Sequence, residues 1–170
     1  MIQSLAIGQK SIDDFDIIED STNLYKSIDA ILEHKVFKNK VVFVDVWGTT
    51  CKPCLKEFSH IKALKDRFKN EPVEYLYACS PNKITRDKQN ISLWKKLIVK
   101  YNLEGLNVYM SPQCYEEGFF EKYSDKYPAN EMYAIPAYLL VNINGEIVDF
   151  RAPRPSSKEK LYEKIENLIK

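Results

Sequence analysis

Two features that mark common classes of protein are missing from this sequence of 170 residues. It has no run of about 18 apolar residues, the length that a membrane-spanning helix requires. The stretch from Met1 to Lys10 lacks the positive segment followed by an apolar segment that marks a secretory signal. We therefore expect the chain as written to be soluble.

An excess of charge of either sign is also missing. Lys and Arg together number 25 and Asp and Glu together number 24, which gives a formal net charge of +1. Proteins that hold nucleic acid through its phosphates present a positive field. We therefore expect no nucleic-acid partner.

Glycine is scarce, with 5 residues, and the sequence has no internal repeat or low-complexity stretch that would indicate a linker or a repeat array. The hydrophobic fraction of 45% is typical of a globular protein that buries a core. At this length we expect a single domain over residues 1–170.

Buried strands and amphipathic helices alternate along the chain. Val41–Trp47 and Val73–Cys79 are near-continuous β-branched and aromatic runs, which are typical of strands covered on both faces. Asn144 and Gly145 predict the turn of a hairpin. The alternation predicts an α/β fold with a central mixed sheet flanked by helices. The other predicted elements are helices from Thr22 to about Phe37, from Cys51 to about Phe68, from about Asp87 to Tyr101 and from Tyr115 to Tyr127, a short strand at Leu106–Met110, hairpin strands at Ala137–Ile143 and Ile147–Arg151, and a final helix capped by Ser156 and Ser157.

The 4 cysteines are too few for a disulfide scaffold, but two of them form a Cys-Lys-Pro-Cys sequence at the start of a predicted helix. At this spacing the sulfurs of Cys51 and Cys54 can bridge without movement of the backbone, so the bond can form and break repeatedly. The helix dipole and unpaired backbone N–H groups favour the thiolate of Cys51, which is the predicted nucleophile. Cys54 lies on the apolar flank of the helix and is predicted to attack second. The pair is therefore a candidate redox-active disulfide.

Two carboxyl groups are candidates for proton exchange with Cys54. Asp45 interrupts an otherwise apolar strand, where a carboxylate is costly unless it has partners or a function. Glu57 shares a helix flank with Cys54, where partial burial suits a carboxyl group to acid–base catalysis. A solvated Glu57 paired with a lysine is the alternative interpretation. We expect one of the two acids to deprotonate Cys54, and the sequence leaves open which one.

The stretch VVFVDVWGTTCKPCLKEF resembles the strand, the Trp-x-x-x-Cys-x-Pro-Cys motif and the helix of the thioredoxin superfamily. Glu57, together with the later AIPAYLLVNINGEIV, is similar to the TlpA/ResA branch of membrane-associated bacterial thiol:disulfide oxidoreductases. The resemblance implies a thioredoxin-like three-layer fold. Residues 1–40 would then be an N-terminal extension and residues 41–170 the core, with an insertion at about 80–130 before the strand that follows the cis-proline.

The resemblance also implies roles for single residues. Pro136 would be the cis-proline that lies against the dithiol, and Ile135 would bind the backbone of an extended substrate. Trp47 would contribute to the same substrate-binding surface. Asp45 and Glu57 match the positions of the family's buried acids.

Two departures from the family pattern concern substrate preference. Thr50 stands where the family usually has a tryptophan that helps to form the flat apolar surface around the site. The segment Tyr127–Tyr133 is longer and more polar than the usual approach to the cis-proline. We expect this segment to be a specificity loop.

Other functions are compatible with single features of the sequence. In a zinc site, Cys79 and Cys114 would have to complete four ligands, but they are not a close pair, and we expect two small buried hydrophobic side chains. A peroxiredoxin-like peroxidase would need Pro and Thr where Val44 and Gly48 stand. A non-catalytic binding module with a thioredoxin fold is the third alternative.

The sequence thus predicts a thiol:disulfide oxidoreductase that acts as a reductant or a disulfide carrier and requires no cofactor. Its expected partners are protein disulfides or dithiols and an upstream dithiol electron donor, and we expect a monomer. Family analogy predicts a location in the bacterial cell envelope or periplasm, with any membrane anchor outside this sequence. A cytoplasmic location is the alternative.

Overall fold

The computed structural model describes residues 10–81, 88–130 and 134–170. Within these ranges a single sheet contains strands β1 Asp16–Glu19, β2 Val41–Trp47, β3 Val73–Cys79, β4 Leu106–Tyr109, β5 Ala137–Val141 and β6 Ile147–Asp149. Their order across the sheet is β1-β4-β3-β2-β5-β6. The first four strands in this order are parallel, and β5 and β6 each run antiparallel to the preceding strand. The prediction of an α/β fold with a mixed sheet is confirmed.

The described helices cover both faces of the sheet, and none of them is long and apolar enough to cross a membrane. The α-helices are α1 Ile28–Leu32, α2 Lys52–Glu57, α3 Ile61–Phe68, α4 Lys88–Tyr101, α5 Pro112–Tyr115 and α6 Glu159–Ile169. Short 3-10 turns lie at Ile12–Asp14, Lys35–Phe37, Phe58–His60, Ser124–Lys126 and Pro155–Ser157, and a π-helical turn at Glu116–Glu121.

β2 is the central strand, and all of its residues are buried. Because successive side chains of a strand point to opposite faces, Phe43 and Trp47 pack with α3, α4 and α6 on one face. Val42 and Val44 pack with α1 and α5 on the other face. The predicted bounds of β2 and β3 agree with the structure, since each is an apolar run buried on both sides.

The predicted helix from Thr22 to Phe37 is wrong at its start. The carboxylate of Asp20 accepts hydrogen bonds from the backbone N–H groups of Leu24 and Tyr25, at 2.6 and 3.3 Å, and holds this stretch in a turn. Leu24, an apolar residue within the predicted helix, is 68% exposed. The helix begins instead at α1, where the hydroxyl of Ser27 accepts from the N–H of Ala30. β1, before this turn, was not predicted because four residues carry little periodicity.

Two further helix predictions need correction. The predicted helix that follows Cys51 is divided into α2 and α3 by the 3-10 turn Phe58–His60. The predicted helix Tyr115–Tyr127 is replaced by α5, the π-helical turn and the 3-10 turn at Ser124–Lys126. Gly118 lets this segment pack closely against Lys26, because a side chain at position 118 would collide with the backbone carbonyl of Lys26. This close approach holds the segment against the start of α1.

Candidate active site

The site begins where β2 ends. A short loop, residues 48–50, connects Trp47 to α2, and Cys51 is the N-cap residue of that helix. The sulfur of Cys51 accepts a hydrogen bond from the backbone N–H of Cys54 at 3.2 Å. Pro53 lies in the first turn, where a missing N–H costs little. The local sequence therefore points the N-terminal end of a helix at Cys51, which favours negative charge on its sulfur.

Cys51 and Cys54 are joined by a disulfide bond, with their Cα atoms 5.3 Å apart. Cys51 is half-buried, whereas Cys54 is only 1% exposed and packs in the core with Phe58 and Ile61. An external thiolate can therefore reach the sulfur of Cys51, and the protein interior shields that of Cys54. This asymmetry suits a pair in which one sulfur exchanges with substrate and the other resolves.

Ile135 and Pro136 lie beside the disulfide, and the peptide bond between them is cis. The carbonyl oxygen of Ile135 is 3.7 Å from the sulfur of Cys51. Gly48 allows this approach, because a Cβ atom at that position would lie 2.9 Å from both the Ile135 Cδ1 atom and the Ser80 Oγ atom. The predicted neighbours of the dithiol are thus brought together.

Trp47 has no exposed surface in this conformation. Its ring packs edge-on against that of Phe58, with the centroids 5.0 Å apart. Trp47 therefore cannot contact a substrate directly in this conformation. Trp47 would influence substrate binding only indirectly, through the positions of the residues that it packs against.

Asp45 is completely buried on the same face of β2 as Trp47, and neither carboxyl oxygen has a hydrogen-bond partner among the described residues. Its cross-strand neighbours are Tyr77 of β3 and Tyr138 of β5. Burial raises the pKa of Asp45 well above its usual value, and the negative charge of Glu57 raises it further. Asp45 therefore holds its proton to a higher pH than an exposed aspartate does.

Glu57 has the opposite surroundings, although it is only 5% exposed. One carboxylate oxygen accepts from the backbone N–H of Ser156 and the other from its hydroxyl, both at 2.9 Å. The guanidinium of Arg154 lies 3.9 Å away, with 57% of the side chain exposed. The interpretation of Glu57 as a solvated residue paired with a lysine is wrong. Glu57 is the better placed of the two acids to carry the negative charge.

Ser156 and Ser157 were predicted to cap the last helix, and this is wrong. The N-cap position of α6 is held by Lys158, which has a positive φ of 44° and makes no side-chain capping bond. Both polar groups of Ser156 bind Glu57 instead. The two residues are 99 positions apart, so local spacing carries no signal of this contact.

Cys79 and Cys114 are buried free thiols on opposite faces of the sheet. Burial raises the pKa of Cys79 well above its usual value, with the backbone of Thr49 opposing the shift and Asp45 adding to it. Burial also raises the pKa of Cys114, to about 12. Because the sheet separates them, these two cannot complete one four-cysteine zinc site with Cys51 and Cys54. They pack as the small hydrophobic side chains that the sequence predicted.

Comparison with curated proteins finds relatives of the ResA type. A thiol-disulfide oxidoreductase ResA from Bacillus thuringiensis subsp. konkukian is 34% identical over 73 residues, which are 43% of this chain and 38% of the relative. A thiol-disulfide oxidoreductase ResA from Halalkalibacterium halodurans is 24% identical over 139 residues, 82% of this chain and 68% of the relative. The chain thus spans less than half the length of the first of these relatives.

Solved structures show the same fold. The solution structure of a thiol:disulfide interchange protein from Bacteroides sp. superposes with a TM-score of 0.58 at 22% identity, covering 78% of this chain and 75% of that one. These comparisons confirm the resemblance to the TlpA/ResA branch of the thioredoxin superfamily. The Redoxin family model matches residues 22–165, a span that contains the dithiol, both buried acids and the cis-proline. The chain belongs to the Redoxin family.

Proposed function

We propose that this protein is a thiol:disulfide oxidoreductase that exchanges electrons with partner proteins through Cys51 and Cys54. The observation that carries the proposal is the asymmetry of the pair. Cys51 is accessible at a helix N-terminus, and Cys54 is buried on the same core face as Asp45, an acid whose pKa is raised by burial. The names of the relatives support the same activity.

As a reductant, the protein would act in two exchange steps. The thiolate of Cys51 attacks a substrate disulfide, forms a mixed disulfide and releases one substrate thiolate. Cys54 then loses its proton to an acid–base group and attacks the sulfur of Cys51, which releases the second substrate thiolate and closes the disulfide. Two electrons pass to the substrate, and an upstream dithiol protein would restore the reduced pair.

Asp45 is the better candidate for the group that exchanges the proton with Cys54. In the oxidised protein it holds a proton, which it can give to the Cys54 thiolate when the disulfide opens. In the reverse direction, the ionised Asp45 takes that proton back. Glu57 would act on Asp45 through its charge.

Substrate would bind as an extended chain beside Cys51. Ile135 and Pro136 are half-buried and border the accessible sulfur, so the backbone of Ile135 is a candidate hydrogen-bonding edge. Thr50 is exposed beside them and would be a contact surface in place of the family's tryptophan. The proposed specificity loop, Tyr127–Tyr133, includes residues 131–133, which lie outside the described ranges.

The setting follows from the family and is part of the same proposal. The TlpA/ResA branch is membrane-associated, so we place this chain in the bacterial cell envelope, as a monomer that requires no cofactor. We propose residues 1–170 as one thioredoxin-like domain, with residues 1–40 as its N-terminal extension and about 80–130 as its insertion.

Trapping of mixed disulfides tests the activity. The Cys54→Ser variant should accumulate a mixed disulfide with a reducible protein substrate such as insulin, since the resolving sulfur is gone. Cys51→Ser should form none, and Cys114→Ser should reduce insulin like the unchanged protein, because Cys114 lies on the far face of the sheet. Trapping through Cys114, or no insulin reduction by the unchanged protein, would refute the proposal.

A further inference from the structure

Glu57 is fixed by a segment from the far end of the chain. The 3-10 turn Pro155–Ser157 precedes α6 and brings Ser156 against α2. Pro155 is buried, so the turn is anchored in the protein rather than held only by its contact with Glu57. The two Ser156 hydrogen bonds occupy both carboxylate oxygens, which sets the position and the orientation of the group.

We propose that Ser156 is a positioning residue of the redox site: by holding the Glu57 carboxylate near Asp45, it determines which of the two buried acids carries the negative charge. The inference rests on the proposed oxidoreductase function, in which Asp45 exchanges a proton with Cys54. Ser156 touches neither sulfur and acts only through Glu57.

The physical reason is that two neighbouring carboxylates cannot easily both be ionised in the protein interior. The charge settles on the acid with donors around it, and Glu57 has the N–H and O–H of Ser156 and the nearby guanidinium of Arg154. Asp45 has no donor within hydrogen-bonding distance among the described residues. The charge on Glu57 then keeps the proton on Asp45, where Cys54 can use it.

Other ionisable groups face this pair but do not supply the same control. Tyr77 and Cys79 of β3 and Tyr138 of β5 surround Asp45, and burial raises the pKa of each of them. They are neutral over the working pH range. Arg154 is largely exposed, so solvent and salt weaken its effect. Ser156 is the group in direct hydrogen-bond contact with Glu57.

The adjacent serine supplies a matched control. Ser157 lies in the same 3-10 turn, and its backbone N–H bonds the carbonyl of Arg154 rather than Glu57. Ser156→Ala removes the hydroxyl that binds Glu57, whereas Ser157→Ala removes a hydroxyl from the same turn. Ser156→Thr keeps a hydroxyl at position 156 and should retain the contact with Glu57.

The readout is the titration of the Asp45 carboxyl carbon, followed by ¹³C NMR in the protein of residues 1–170. Ser156→Ala should lower the Asp45 midpoint by about one pH unit, because a less firmly held Glu57 exerts less repulsion. Glu57→Gln should lower it in the same direction and further. Ser157→Ala should leave the midpoint unchanged, and Ser156→Thr should return it to the original value.

The inference is overturned if Ser156→Ala leaves the midpoint unchanged or raises it, or if Ser157→Ala lowers it equally. Urea unfolding of each variant shows that the titrations compare folded proteins. Because the titration requires no turnover, it gives a result whether or not the protein exchanges disulfides. Loss of insulin reduction in the unchanged protein would refute the proposed function, and an unmoved Asp45 midpoint would refute only the role of Ser156.

Discussion

At the scale of single residues, the environment of each buried acid decides what it can do. Asp45 and Glu57 are both carboxyl groups with almost no exposed surface. Ser156 donates two hydrogen bonds to Glu57, whereas Asp45 faces apolar side chains and the rings of Tyr77 and Tyr138. The hydrogen bonds of Ser156 therefore stabilise the ionised form of Glu57, whereas burial without donors favours the protonated form of Asp45.

The free energy of unfolding should depend on pH because of the raised pKa of Asp45. Its pKa is raised above the usual 3.8 by burial and by Glu57, so the folded state binds the proton more tightly than the unfolded state. The free energy of unfolding should therefore fall as pH rises above this usual value, until Asp45 ionises in the folded protein. Asp45→Asn removes this dependence, so the variant should gain stability relative to the unchanged protein between pH 4 and pH 7.

Urea unfolding of both proteins at pH 4 and pH 7 measures the effect. The difference between Asp45→Asn and the unchanged protein should be small at pH 4 and clear at pH 7, with equal urea m-values. A difference that is the same at both pH values would contradict the assigned protonation of Asp45. We also expect Asp45→Asn to slow insulin reduction, since the amide cannot exchange the proton.

At the scale of elements, the sheet face that carries Asp45 contains several tyrosine hydroxyls without hydrogen-bond partners among the described residues. Tyr75 and Tyr77 of β3 and Tyr138 of β5 are in this group. The ring of Tyr138 stacks on Phe43, with the centroids 5.5 Å apart. These side chains contribute apolar area and ring contacts, and their hydroxyls add little to stability.

Tyr75→Phe should therefore leave the free energy of unfolding unchanged or raise it, because it deletes a buried hydroxyl that makes no hydrogen bond. Tyr123→Phe is the matched comparison. The hydroxyl of Tyr123 donates to the carboxylate of Asp29 at 2.5 Å, so its removal should cost about 1 kcal/mol. Chemical denaturation measures both, and equal losses in the two variants would contradict the assignment of partners.

The loop between β2 and α2 depends on a glycine for steric reasons. Gly48→Ala places a Cβ atom against the ends of the Ile135 and Ser80 side chains, so the Ile135 side chain beside Cys51 must turn aside. We expect thiol exchange at Cys51 to slow by about tenfold, which corresponds to about 1.4 kcal/mol in the barrier. The rate of Cys51 alkylation in the reduced protein measures this effect.

Gly145→Ala is the control for a glycine effect away from the site. Gly145 has a φ of +84° in the β5–β6 turn and has open space around it, so the substitution strains the backbone without a collision. It should lower stability by about 1 kcal/mol and leave the alkylation rate of Cys51 unchanged. Equal effects of the two alanines on that rate would exclude a specific role of the Gly48 contact.

At the scale of the whole molecule, the sheet topology assembles the site from distant parts of the chain. β5 runs antiparallel to β2, and Ala137 at its start pairs with Val46 near the end of β2. This register places Ile135, 84 residues away in sequence, beside Cys51. The antiparallel pairing of β2 with β5 therefore brings the cis-proline to the dithiol.

The sequence predicted those parts of this arrangement that depend on neighbouring residues, and it missed those that depend on contacts between distant residues. β2, β3 and the dithiol were predictable because a continuous apolar run and a Cys-x-x-Cys spacing are local patterns. The start of α1 was not, because the carboxylate of Asp20 stabilises a turn over residues whose periodicity favours a helix. The contact of Ser156 with Glu57 depends on the packing of α6 against the sheet, which leaves no local pattern in the sequence.

The redox potential of the Cys51–Cys54 couple shows whether the two cysteines form a reversible redox centre. The protein would be equilibrated in dithiothreitol or glutathione buffers and its free thiols trapped, with Cys51→Ser as the control. We predict one reversible two-electron transition at about −270 mV or lower, as for a thioredoxin-like reductant, and none in the control. The absence of a reversible transition in the unchanged protein would contradict the assignment of Cys51 and Cys54 as its redox-active pair.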